Sequence, residues 1–276
     1  MTRLLGRIVS YVVLILIAVL GLAPFVYLLV LSFKSQLDLL DVPPSLHFDW
    51  ATIKENYDTV IHEQRYPTFV LNSMIVTGAS TLVALALGVP AAYAFSRLYF
   101  RGSDTWGSTI LSFRFMPPVA VAIPIFLMIR QLGLLNSYFG LVLPYIAFTL
   151  PLVIWIMIGF FDEIPREVDE AALVDGLTRA QVLFRVLLPL VRPGILVAAT
   201  FGIIFIWNEF LVGFFIVNST DRETIPIAAS ALLTVESPIQ YNVAAAVGVL
   251  TVIPVLFFAM LVQRYIVRGI TAGAVR

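Results

Sequence analysis

The sequence predicts an all-α integral membrane protein, and three observations carry that prediction. The chain of 276 residues is 60% hydrophobic and 12% charged, whereas soluble domains are about 45–50% apolar and about 25% charged. Its charges fall in short intervals separated by long uncharged ones, the pattern that alternating spans and loops produce. Within the uncharged intervals the apolar character is continuous and does not alternate with period two, which selects helices over the strands of a membrane barrel.

A helix needs about 20 apolar residues to cross a bilayer core, and that length gives six spans: 8–33, 68–96, 107–130, 138–161, 193–217 and 243–263. The first follows Arg3 and Arg7; it is longer than the apolar core of a signal peptide and lacks a small-residue cleavage signature, so it is expected to be retained. The second stops before Arg97. The third contains Arg114, with Met116, Pro117 and Pro118 just after it, and prolines there free backbone carbonyls, consistent with a bend that lines a cavity. The fourth ends at Asp162-Glu163, the fifth follows Arg192-Pro193 and contains Asn208 and Glu209, and the sixth ends before Arg264. With no internal repeat or linker, residues 1–276 read as one membrane domain.

Three polar segments separate these spans: 34–67, with a short helix expected at about 50–62, 162–192 and 218–242. Arg3, Arg7, Arg97, Arg101, Arg166, Arg179, Arg185, Arg192, Arg264, Arg268 and Arg276 fall on one side of the resulting topology. Lys34, Lys54, Arg65 and Arg222 fall on the other, with Arg130 near the border. The positive-inside rule makes the first side cytoplasmic, together with both termini. Cysteine is absent, which excludes a disulfide framework and thiolate chemistry and leaves the redox compartment open. His47 and His62 have no metal-ligand spacing around them.

The cytoplasmic stretch EAALVDGLTRAQVLFRVLLP, 170–189, interrupts the apolar chain. Pro165, with Glu167, Asp169 and Glu170 near a helix N-terminus, predicts a short helix over about 165–175. Val168, Ala171, Ala172 and Asp175 give it a narrow face of small residues. Asp175-Gly176 ends it. Thr178 and Gln181 match a capping box that opens a second helix running to Pro189. Val182, Leu183, Val186, Leu187 and Leu190 form one apolar arc, and Phe184 lies off it. The residues alone fit two readings: a well-capped interfacial hairpin, or a docking element for a soluble partner.

The run Glu170-Ala171-Ala172, then Asp175-Gly176, then Val186 and Leu188-Pro189, resembles the EAA loop of permease subunits of binding-protein-dependent ABC importers. Leu177 departs mildly, since the family often has alanine there. Trp207-Asn208-Glu209-Phe210 and the terminal Arg268–Arg276 are similar to those of carbohydrate-importer permeases of the maltose type. The resemblance implies the type I permease fold in a bacterial or archaeal cytoplasmic membrane. It also implies a second homologous permease, two ATPase subunits, an extracytoplasmic solute-binding protein and a sugar or sugar-like solute as partners, within the lipid bilayer and without nucleic acid. The loop is then a coupling helix: Glu170, Ala171, Ala172, Asp175, Gly176, Phe184 and Pro189 are its docking residues. The tail, with Gly269, Thr271 and Gly273, reaches the ATPases, and segment 218–242 enters the binding protein.

No G-x-x-x-x-G-K-[ST] loop occurs, so ATP and Mg are expected on the partner subunits, with no cofactor on this chain. Ionisable residues within spans are costly and mark candidate pathways; here they are Arg114 and Glu209, joined by the amide of Asn208. Glu209 is expected about 24 Å from the cytoplasmic end of its span and Arg114 about 10 Å, placing them in different layers. A structural charge at a bundle interface is the competing reading for both. An ion-gradient carrier is the alternative function, although paired repeats are missing and Glu209 is the only coupling acid. An intramembrane enzyme lacks its constellation of nucleophile, base or metal ligands.

Overall fold

The computed structural model describes residues 2–40, 47–98, 100, 102–113, 116–231 and 240–273, with backbone alone for 2–5, 40, 104, 111 and 261–273. All regular elements among these residues are helical. In chain order they are α1 (Thr2–Ser32), α2 (Trp50–Asp58), α3 (Tyr66–Arg97), α4 (Ser103–Ser112), α5 (Pro118–Gln131) and α6 (Tyr138–Asp162). Then follow α7 (Arg166–Val174), α8 (Arg179–Leu190), α9 (Arg192–Trp207), α10 (Leu211–Ile216), α11 (Ile225–Ala231) and α12 (Tyr241–Gly273). Stretches of α1, α3, α6 and α12 are each long and apolar enough to cross a bilayer.

Two predicted spans are not single helices. The third is divided into α4 and α5, with Pro117 extended at ψ 124° and Pro118 in the first turn of α5. A residue that precedes proline is pushed out of the α region, so Pro117 stays extended and Pro118 opens α5. The fifth is divided into α9 and α10 at Asn208–Phe210. The short helix predicted near 50–62 is present as α2, continued by one π-helical turn, Thr59–Glu63.

The chain forms two compact units. The unit formed by 1–67 and 229–254 is organised around Asn56, which is 4% exposed. Its amide nitrogen donates to the carbonyls of Ser32 and Lys34, both at 2.9 Å, and its Oδ1 accepts from Asn242 at 2.7 Å. One side chain thus satisfies the end of α1 and fixes the start of α12, where unpaired carbonyls would otherwise remain. Residues 6–27 of α1 are exposed throughout, as expected of a helix solvated by lipid.

The unit formed by 68–228 and 255–276 has two apolar cores. One joins α3, α6, α7, α8 and α9 through residues including Tyr93, Met157, Phe161, Ala172 and Leu187. The other joins α3, α5, α6, α9, α10 and α11 through residues including Val76, Ile129, Tyr145 and Ile216. Lipid supplies no hydrophobic drive between helices, so close packing must supply the attraction. Gly194 shows how: a Cβ there would lie 2.4 Å from the ring of Phe160, so the backbone of α9 can approach α6 only through glycine.

Candidate functional site

The polar hairpin between α6 and α9 consists of two short helices that form for different reasons. α7 starts after Pro165 and has Glu167 and Asp169 in its first turn, facing the positive end of the helix dipole. It ends at Gly176, whose φ of +86° is left-handed and costs a residue with a Cβ about 1–2 kcal/mol. The Gly176 N–H donates to the Leu173 carbonyl, and that of Leu177 to the Ala172 carbonyl, both at 3.1 Å.

α8 opens on the predicted capping box, with Thr178 and Gln181 satisfying each other's backbone N–H. Its middle, Val182–Leu187, is π-helical. Pro189 has no N–H to give the Arg185 carbonyl, so the wide turn sits where the α ladder is already interrupted. Val182, Leu183 and Leu187 are buried, and Val186 packs on the same core. Leu190 leaves the predicted arc and is 55% exposed; the π turn rotates later residues away from a register counted at about 100° per residue. At Val191 the chain bends by 80° into α9.

Among the predicted docking residues, Glu170, Ala171, Asp175, Gly176, Phe184 and Pro189 are exposed. Ala172 is a correction: it is 7% exposed and belongs to the core beneath the hairpin. α7 lies on the ends of the long helices with Val168 and Ala172 turned inward, so Ala171 and Ala172 do not share an exposed face. Sequence reasoning missed Val174, which is 87% exposed at the tip of α7. Two residues on from Ala172, it stands about 200° around the helix, a position that periodicity could have identified.

Beneath the tip lies a second missed feature. Arg97, at the end of α3, places Nε 2.7 Å from Oδ2 of Asp169 in α7, an ionic contact without hydrogen-bond alignment. Its terminal nitrogen donates to the carbonyls of Phe161, at 2.7 Å, and Ile164, at 2.5 Å, at the end of α6. The neighbouring Ser96 hydroxyl donates to Asp162. The sequence showed Arg97 only as a flanking positive charge; its partners are remote in the chain.

At the break between α9 and α10, Glu209 accepts from the N–H groups of Val212 and Gly213 at 2.9 and 3.2 Å. Its half-buried carboxylate thereby caps α10 and satisfies two of the donors that begin any helix. Asn208 is exposed, and its amide donates to the Ile204 carbonyl at 2.7 Å. Arg114 lies outside the described residues. Its neighbours Phe113, Met116 and Pro118 line an apolar cavity of about 600 Å³ together with Phe148 and Phe205. Gly269, Thr271 and Gly273 belong to the last turns of α12, and their predicted contacts lie outside the described side chains.

The segment after α10 is fastened from below. Asn72 donates to the carbonyls of Asp221 and Glu223 at 3.1 and 2.8 Å, and the Tyr138 hydroxyl donates to Asn72 Oδ1 at 2.7 Å. The Arg222 guanidinium lies 4.5 Å from the Tyr138 ring centre. Residues 232–239 of this predicted loop are outside the described set.

Residues 84–272 match the family described as "Binding-protein-dependent transport system inner membrane component". The chain is 32% identical over 276 residues to the trehalose/maltose transport system permease protein MalG of Thermococcus litoralis, covering 99% of this chain and 98% of that one. It is 34% identical over 262 residues to the trehalose transport system permease protein SugB of Mycobacterium tuberculosis, covering 93% of each. Among solved structures, a chain of a bacterial ABC transporter involved in import of the acidic polysaccharide alginate superposes with a TM-score of 0.79 at 25% identity, over 95% of this chain and 96% of that one. With its long apolar helices and the hairpin between α6 and α9, the chain belongs to the inner-membrane components of binding-protein-dependent transport systems and has the type I permease fold of ABC importers.

Proposed function

We propose that this chain is one of two permease subunits of an ATP-driven importer for a sugar or sugar-like solute. The observation that carries the mechanism is the hairpin: an exposed tip, Glu170, Ala171 and Val174, stands on a buried base that is continuous with the cores of α3, α6 and α9. Such an element moves helices when a partner moves it. In this reading the hairpin and both termini face the cytoplasm, where two ATPase subunits bind ATP and Mg. Glu170, Ala171, Val174 and Phe184 contact an ATPase, while Asp175, Gly176 and Pro189 shape the turn. ATP-driven closure draws the two hairpins together and opens the pathway outward, toward a binding protein that delivers the solute. Hydrolysis restores the inward-facing state. The chain itself performs no hydrolysis.

Trehalose, maltose and alginate in the names of the relatives support the carbohydrate class. Asn208 at the α9 break offers an amide to a hydroxyl-rich solute, and Glu209 holds the break open. Family membership favours this reading over an ion-gradient carrier. The test is reconstitution with the ATPases and binding protein in liposomes, challenged with trehalose, maltose and alginate oligosaccharides. Uptake is expected to require ATP and the loaded binding protein; uptake driven by an ion gradient without ATP refutes the reading.

A further inference from the structure

We infer that Arg97 is a positioning residue that locks the docking hairpin to the ends of α3 and α6, making displacement of α7 a displacement of those two long helices. The inference rests on the proposed role of the hairpin as the ATPase contact. Four observations carry it. Arg97 is 5% exposed and Asp169 12% exposed, so their ion pair at 2.7 Å is sheltered from screening. The same guanidinium donates to the carbonyls of Phe161, in the last turn of α6, and Ile164, just beyond it. Ser96, one residue earlier, holds Asp162. Finally, Asp169 is the inward neighbour of the exposed Glu170 and Ala171, so the pair also fixes the rotation at which α7 presents its tip.

Apolar packing alone would seat α7, but it tolerates sliding, because each contact is small and non-directional. The planar guanidinium is held by two directional hydrogen bonds at the α6 terminus, which fixes in place the charge that α7 meets through Asp169. The clamp thus spans three elements: α3, the α6 terminus and α7. Gly176, with its left-handed φ and open surroundings, lies beyond the clamp. The clamped segment therefore ends before the glycine turn that closes α7.

The decisive variant removes both charges, because Arg97→Met alone strands a sheltered carboxylate and can fail to assemble. The chain contains no cysteine, so Asn208→Cys provides a single labelling site on this chain for a membrane-impermeant maleimide, read on this subunit after labelling the whole complex. Its labelling rate is compared with and without ATP and vanadate. In Arg97→Met/Asp169→Asn, assembly and ATP hydrolysis are expected to persist, while the ATP-driven change in labelling falls at least about fivefold, the lower end of typical coupling between sites. A merely structural pair predicts the opposite, full recovery of the response once both charges are gone. Arg97→Lys keeps the charge and loses the planar guanidinium, and an intermediate response is expected. A full response in either variant overturns the inference, as does Arg97→Lys failing no less than the double variant. Gly176→Pro separates the two readings: if it leaves the response intact, the hairpin role falls and the clamp with it. If it abolishes the response while the double variant keeps it, the clamp alone falls.

Discussion

Gly176 offers the most quantitative test of the docking hairpin. Its φ of +86° is unfavourable for any residue with a Cβ, yet a Cβ built there meets no atom within 4 Å. Gly176→Ala therefore introduces backbone strain without a clash, about 1–2 kcal/mol. That corresponds to a factor of about 5–30 in the balance between the observed turn and a relaxed one. If only the observed turn docks, the apparent affinity for the ATPase weakens by up to that factor. Gly176→Asn should cost less, because asparagine visits left-handed conformations more readily. Gly176→Pro should cost more: its φ is locked near −65°, and it loses the N–H that donates to Leu173. Titrating purified ATPase subunit against permease complexes in detergent should give the order Gly, Asn, Ala, Pro from tightest to weakest. Equal affinities across the series, or Ala as weak as Pro, would refute the reasoning.

Three further outcomes follow from other sites. Glu209→Gln retains one acceptor for the two α10 donors and Glu209→Ala retains none, so the loss of thermal stability should reach about 1 kcal/mol for Ala and be smaller for Gln; indistinguishable melting curves would remove the cap from the account. Val174→Asp should weaken ATPase association while leaving expression of the permease unchanged, because the side chain is 87% exposed; normal association in a pull-down would exclude Val174 from the contact. For pH, the Ser35 hydroxyl and then its N–H lower the Asp38 carboxyl below its ordinary value, whereas burial raises that of Glu223. The Asp38 contribution is thus present above the ordinary carboxylate value and lost as pH falls through the lowered one, and the Glu223 contribution is present at low pH and lost as pH rises. Melting temperatures of Ser35→Ala and Glu223→Gln, taken relative to the unsubstituted complex, should diverge from it in opposite directions of pH; parallel pH profiles would contradict the assignment.

The long helices were legible because lipid imposes one rule, continuous apolar length, that composition reveals directly. The hairpin was legible because its determinants are local: Gly176, Thr178 and Gln181 act on backbone within a few residues. The break at 208–210 was not, since Glu209 read as a pathway residue or a structural charge at a bundle interface when its carboxylate serves the backbone just ahead of it. Ala172 was misread because the small face of α7 could equally seat the helix or meet a partner, and only the surrounding cores decide which. Arg97 and Asp169 could not be paired from sequence, because nothing local joins the end of α3 to α7.

The π-helical turn in α8 also absorbs a change in chain length. A wide turn accommodates one residue more than an α turn over the same axial distance. Deleting a single residue within 182–187 would let the segment close into α geometry with the residues beyond it still in place, whereas a deletion in a regular α turn rotates everything beyond it by about 100°. The heading at which α9 enters the bilayer is thus buffered against a change of length at that turn alone. Relatives of this chain should accordingly accept a one-residue deletion within 182–187 more easily than one in the regular turns of α9.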